Sequence, residues 1–276
     1  MKKNIVISAI AVALIGLGFT MMQKAVTIKG SDTMVILAQR WAEEYMTKNS
    51  GSTIQVTGGG SGVGISALIN GTTDIANASR PMKMSERQQL KERFGTMGVE
   101  IKVAKDGLSV YINEANGISE LTLDQIKNIY LGKITNWKDV GGADSRIVLY
   151  GRENSSGTYV YFKEFVLANK DYSATMQSLP GTAAVVNAVA KDKNGIGYGG
   201  AAYAKGCKYV KVKKDAASAG IEPSKNTIAD GSYPITRYLY MYTKSKPTGE
   251  IKAFIDWVLS AEGQALVEKV GYFPIK

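Results

Sequence analysis

Residues 151–162 read GRENSSGTYVYF, an arginine, an asparagine, two serines, a glycine and a threonine set ahead of an aromatic-rich segment. The planar fork of Arg152 grips two oxygens of an oxyanion together, and the serine and threonine hydroxyls add donors around it. Two further clusters are built alike: GSDTM at 30–34 and GGGSG at 58–62. Each follows a predicted strand and opens a predicted helix. A helix N-terminus leaves backbone N–H groups without helical partners and carries the positive end of the dipole, so small residues there let an anion approach. Taken singly, such a cluster is plain helix capping. The three together point to an anion site. None closes with the Gly-Lys-Ser/Thr of a nucleotide phosphate loop, and GGGSGVG is not a clean dinucleotide fingerprint.

Composition narrows the chemistry further. The chain has no histidine, which removes histidine bases, Ser-His-Asp and Cys-His catalysis and the commonest transition-metal ligand. Cys207 is the single cysteine, leaving neither an intrachain disulfide nor a cysteine cluster for a metal. An exported enzyme such as a phosphatase therefore finds no evident machinery, and no cofactor is expected. The formal charge of +10 suits an anionic partner. KYVKVKKD at 208–215 reads as a solvated edge strand and not as a nucleic-acid surface.

The elements that must position these clusters alternate. Strands are expected at 26–30, 53–57, 73–79, 147–151, 196–200 and 209–213, and helices at 33–49, 62–70, 157–169 and 182–191. Ser85 with Gln88, and Thr122 with Gln125, have capping-box spacing, and Gly95 and Gly132 sit at the following helix ends. The segment at 250–270 carries a helical apolar stripe through Ile251, Phe254, Ile255, Val258 and Leu259. This alternation predicts an α/β fold with largely parallel sheets. At 276 residues the chain is long enough for two lobes. VAKDGLSVYIN (103–113) and YPITRYLYMY (233–242) read as two hinge crossings, with a ligand cleft between the lobes.

The N-terminus, MKKNIVISAIAVALIGLGF, sets two lysines before an apolar run, the pattern of a secretory signal. A small-residue cleavage site ends at Ala25, so residues 1–25 read as a signal peptide or N-terminal anchor and the protein as periplasmic. Removing that segment leaves the chain basic.

In order along the chain, GSDTM, GGGSGVGISALINGTTDIANASRPMK, DGLSVYIN, LTLDQIKNIYLGKITNW, GRENSSGTYVYF and NGIGYGG resemble the PstS-type phosphate-binding proteins that serve bacterial phosphate ABC transporters. The likeness runs from about Ile28 to the C-terminal GYFPI. It implies a type II periplasmic-binding-protein fold, with lobe 1 formed by 26–106 and 238–276 and lobe 2 by 107–237, closing on one phosphate without catalysis. It also implies a monomer that delivers its ligand to membrane permease and ATPase subunits. The implied ligands are Ser31 or Thr33 with the backbone around Met34, and Ser61, from the first lobe. Arg152, Ser156, Gly157 and Thr158 come from the second.

Two positions depart from the family pattern. Arg80 and Asn154 stand where relatives of the enterobacterial type have aspartates. An acid there accepts a hydrogen bond from a protonated phosphate and repels fully ionised sulfate. The departures make a ligand-facing Arg80 and an accepting Asn154 the expectation, and they keep sulfate or molybdate open as alternative ligands. Asp32, Asp74 and Glu153 are the candidate acids to stand in for the missing aspartates.

Overall fold

The computed structural model of the protein describes residues 25–275, so the export segment read at 1–25 lies outside it apart from Ala25. The chain forms strands β1 (Val26–Gly30), β2 (Ile54–Thr57), β3 (Ile75–Ala78), β4 (Val99–Ile112), β5 (Glu120–Thr122), β6 (Val148–Arg152), β7 (Gln177–Leu179), β8 (Gly195–Gly200), β9 (Lys208–Tyr209), β10 (Lys211–Lys213) and β11 (Thr236–Thr243). Its helices are α1 (Val35–Lys48), α2 (Ser61–Asn70), α3 (Met84–Phe94), α4 (Leu123–Tyr130), α5 (Gly157–Phe165), α6 (Gly181–Lys191), α7 (Lys225–Ala229), α8 (Gly249–Val258) and α9 (Ala261–Val270).

One long sheet runs β2-β1-β3-β11-β4-β8-β6-β7, with β9 also paired to β4, and β10 pairs with β5 separately. The two ends of the long sheet are parallel, β1 with β2 and β3, and β6 with β7 and β8. The middle is antiparallel, because β11 pairs with both β3 and β4, and β4 pairs with β8. The sheet is thus mixed where the sequence suggested it would be largely parallel. Strand β4 changes partner along its length: positions up to Gly107 pair with β11, and Leu108 onward with β8. Here the chain passes from one half of the molecule to the other, and β11 brings it back. The architecture is two-lobed, with two crossing strands.

Helix α1 shows why the first half holds together. Leu37, Ala38, Trp41 and Tyr45 recur at helical spacing and are all buried. They pack with Ile28, Ile75, Leu239, Phe254 and Val258, each large side chain contributing about 1.5–3 kcal/mol through burial. The Trp41 indole N–H donates to the Gly263 carbonyl at 2.8 Å, which ties α1 to α9. A second core gathers Leu108, Val110, Ile126, Tyr130, Trp137, Phe162 and Tyr198 beneath the other half. Tyr233 and Tyr242 are fully buried, and Cys207 is a buried free thiol.

Several local expectations shift. Thr122 does cap α4, accepting from the Gln125 N–H at 3.0 Å while the Gln125 side chain accepts from the Thr122 N–H. Helix α3, however, starts earlier than Ser85. Its first turn is closed by the Glu86 carboxylate, which accepts the Lys83 N–H at 2.7 Å. The strand expected at 209–213 divides: Lys208–Tyr209 joins β4, and Lys211–Lys213 turns away to β5. The C-terminal stripe is two helices, because the Ser260 hydroxyl starts a new one by accepting the Gly263 N–H at 3.3 Å. Among the described residues, no helix is long and apolar enough to cross a membrane.

Candidate functional site

The three small-residue clusters converge where the two halves face each other. Gly30 ends β1 with φ +143°, a conformation that frees the next turn, and the Ser31 N–H donates to the Asn77 carbonyl at 2.9 Å. A 3-10 turn over Asp32–Met34 then leads into α1. The second cluster runs into α2 through Gly60, φ +97°, and the third into α5, whose N-cap is Ser156. Helices α2 and α5 thus point their N-termini into one region. Their loops touch, since the Gly62 N–H donates to the Ser155 carbonyl at 2.9 Å.

Hydroxyls fill that region. Thr33 Oγ1 meets Thr158 Oγ1 at 2.8 Å, a contact between the halves. The Ser31 hydroxyl donates to Ser79 Oγ at 3.0 Å, and Ser61 Oγ lies 3.3 Å from the same atom while accepting the Ser79 N–H at 3.0 Å. Ser31, Thr33, Ser61, Ser79, Ser156 and Thr158 are all buried. Gly157 is packed so tightly that an added Cβ would lie 2.7 Å from Ser79 Oγ and collide with Ser61 Oγ as well. A side chain there forces Ser61 and Ser79 to give way.

Arg152, at the end of β6, is 1% exposed. Its Nη1 donates to Thr182 Oγ1 at 2.8 Å and its Nη2 to Asp32 Oδ2 at 2.7 Å. Its Nε is a buried donor with no protein partner. Burial pulls the guanidinium below its ordinary pKa, while Asp32 and Tyr198 oppose that shift and Arg237 adds to it. The second arginine, Arg237 on β11, donates Nη1 to the Ser79 carbonyl at 3.1 Å and is paired with Asp106. Buried serine and threonine hydroxyls, helix N-termini and an arginine with an open donor make a site for a small oxyanion. Among the described residues, no cluster of histidine, cysteine or acidic side chains is arranged to hold a metal.

The structure thus brings Ser31, Thr33, Ser61, Arg152, Ser156, Gly157 and Thr158 together. Ser156 spends its hydroxyl on its own helix, accepting the Thr158 and Tyr159 N–H groups at 3.1 and 3.4 Å. The Met34 N–H is taken by the Ser31 carbonyl at 2.9 Å, and its side chain lies in the core.

Two expected residues make no hydrogen bond to the hydroxyl cluster, unlike the expectation of a ligand-facing Arg80 and an accepting Asn154. Arg80 is buried and turned to Glu86, with Nη1–Oε2 at 2.8 Å and Nη2–Oε1 at 2.6 Å, so that an acid occupies both terminal nitrogens, while its Nε, like that of Arg152, is a buried donor with no protein partner. Asn154 is exposed on the outer side of its loop, with Glu153, Asp171 and Tyr172 beside the same surface hollow. Of the candidate acids, Asp74 is used locally, accepting the Thr27 N–H at 2.9 Å, Glu153 is exposed, and Asp32 alone enters the site.

Ser79, Thr182, Asp106 and Arg237 join the cluster without having been singled out. A signal existed for Arg237, the one charge in the otherwise uncharged segment 233–242; Asp106 follows directly on Lys105 and carried no such signal.

A family model described as a PBP superfamily domain matches residues 20–262. The phosphate-binding protein PstS of Pseudomonas aeruginosa is 35% identical over 263 residues, covering 89% of this chain and 81% of the relative. The phosphate-binding protein PstS of Staphylococcus epidermidis is 36% identical over 254 residues, covering 88% and 77%. Among solved structures, a substrate-binding protein from Clostridium perfringens with bound phosphate superposes with a TM-score of 0.84 at 33% identity, over 92% of this chain and 100% of the other. An ABC-type phosphate transport receptor from Vibrio cholerae superposes with a TM-score of 0.72 at 29% identity, over 90% and 99%.

Proposed function

Because the chain belongs to the PstS family of phosphate-binding proteins within the PBP superfamily, we propose that it captures inorganic phosphate outside the cytoplasm for an ABC transporter. The permease and ATPase subunits of that transporter receive the ligand from it. The observation that carries this reading is the buried hydroxyl cluster, where Thr33 meets Thr158 across the halves beside Ser31, Ser61 and Ser79, with Arg152 tied to the same turn through Asp32.

The protein acts by binding, without turnover. Ser31, Thr33, Ser61 and Ser79 belong to the half that takes the anion first. Rotation about β4 and β11 then brings in Arg152, the N-terminus of α5 at Gly157, and Thr158. On this reading lobe 1 comprises residues 26–106 and 238–276, and lobe 2 residues 107–237. Residues 1–25 direct export or remain as an anchor, and the working form is a monomer. The readings of sulfate and molybdate drew on Arg80 and Asn154. Their ground was the lack of an aspartate at either position; Asp32 supplies an acid within the site, and on that account phosphate is the ligand favoured.

The test is calorimetric titration of the anion-stripped protein with phosphate, then with sulfate and molybdate. Stoichiometric phosphate binding that a tenfold or greater excess of sulfate fails to displace, on the order of 1.4 kcal/mol or more of discrimination, is the expected result. Equal binding of sulfate, or no phosphate binding, overturns it.

A further inference from the structure

Arg152 finds no carboxylate partner in its own half of the molecule. There its fork meets the neutral Thr182 hydroxyl, while the adjacent Glu153 and Asn154 are exposed. Its counter-ion comes from across the cleft: Asp32 Oδ2 at 2.7 Å. Asp32 is itself firmly held. Its Oδ1 accepts the Gly59 N–H at 2.8 Å, its carbonyl accepts the Tyr203 hydroxyl at 2.6 Å, and it lies in the first turn leading into α1, where a carboxylate is favoured. A buried arginine without a partner is costly, so an anion-free arrangement that closes over Arg152 needs Asp32 beside it.

We infer that Asp32 is a positioning residue that latches the two lobes through Arg152, aiming the guanidinium and favouring closure before any anion arrives. This rests on the phosphate-receptor reading for its ligand, but the latch itself is a property of the protein alone. With the latch in place, part of the free energy of closure comes from protein contacts, and the anion supplies the remainder. Thr33 with Thr158, Gly62 with Ser155 and Tyr203 with the Asp32 carbonyl also join the halves, but through neutral groups, and neutral hydrogen bonds are roughly half as strong as charge-assisted ones.

Asp32→Asn tests this in the full exported protein, because asparagine keeps an oxygen for the Gly59 N–H and removes the charge facing Arg152. Small-angle scattering of the anion-stripped protein reads lobe closure, and calorimetry with inorganic phosphate reads affinity. The expected result is a larger anion-free radius of gyration for Asp32→Asn than for the wild type. Added phosphate restores the compact form, with a Kd raised by about tenfold or more. In an Arg152→Met background, Asp32→Asn adds no further opening, since the two residues act as one unit.

An anion-free radius and Kd matching the wild type overturn the latch. So does an equal extra opening in both backgrounds, which is what a purely structural role for Asp32 predicts. Failure of the wild type to bind phosphate overturns the ligand reading instead, and the anion-free scattering still decides the latch.

Discussion

Arg237 and Asp106 face each other across the two crossing strands, and both Nε and Nη2 of the arginine donate to one carboxylate oxygen, at 2.9 and 2.7 Å. Both side chains are buried, Asp106 completely. The other aspartate oxygen accepts the Ala201 N–H at 3.1 Å, and Arg237 Nη1 reaches the Ser79 carbonyl. One ion pair therefore joins both crossings to the end of β3, where the hydroxyl cluster begins.

Asp106→Asn leaves a buried guanidinium without its counter-ion. The expected cost is about 3–5 kcal/mol of folding stability, read as a lowered midpoint in urea unfolding. A variant as stable as the wild type sinks this assignment.

Gly157→Ala separates closure from folding. Gly157 does not have positive φ, so alanine fits the first position of α5 without backbone strain. Its methyl, however, collides with Ser61 and Ser79 from the opposite half. The unfolding temperature should hold while phosphate affinity drops by about tenfold or more, as expected for roughly 1.4 kcal/mol or more of steric cost. Unchanged affinity means that the halves do not close on this glycine.

Ser79→Ala removes the hydroxyl that Ser31 and Ser61 both meet. The loss of one buried hydrogen-bonding group at about 1–3 kcal/mol predicts weaker phosphate binding by roughly 5- to 150-fold in calorimetry. Full affinity in the alanine variant removes Ser79 from the ligand set.

Arg80→Gln should act on stability and leave phosphate affinity alone. Burial pushes the Glu86 carboxyl up, but the Arg80 side chain, the Lys83 N–H and the nearby positive charges outweigh it and hold the group below its ordinary 4.5. A depressed acid stabilises the fold above its unfolded pKa, and that contribution is lost as the pH falls through the folded value. The stability gap between wild type and Arg80→Gln is therefore widest near neutrality and narrows as the pH falls below about 4.5. Urea unfolding at neutral and acidic pH measures it, and a gap that widens in acid contradicts the pairing.

The clusters at 30–34, 58–62 and 151–158 were legible because strand-end glycines and hydroxyls that start helices follow local rules. Gly71 ends α2 and Gly95 ends α3 in left-handed geometry for the same reason. Arg80 was misleading because its partner, Glu86, sits six residues on, across a helix start whose position the sequence had set too late. The pairing of Asp32 with Arg152 spans 120 residues, and that of Asp106 with Arg237 spans 131. Such contacts depend on how β4 and β11 cross, and no local spacing encodes that. The mixed sheet escaped for the same reason: strand direction follows from the return of β11, and β11 is adjacent in space, not in sequence, to β3.

Arg152 and Arg237 are each paired with a carboxylate, Asp32 from across the cleft and Asp106 on the neighbouring crossing strand. Ionic strength should therefore act unequally on capture and retention. The chain's formal +10 charge speeds arrival of an anion by long-range attraction, which dissolved salt screens beyond about 10 Å at 0.1 M. The enclosed anion is held by fixed dipoles and already-paired cations that mobile ions do not reach. Raising potassium chloride should slow phosphate association while leaving its escape rate nearly constant, so that the protein gathers ligand fastest in dilute surroundings and releases it at a pace set by its own opening.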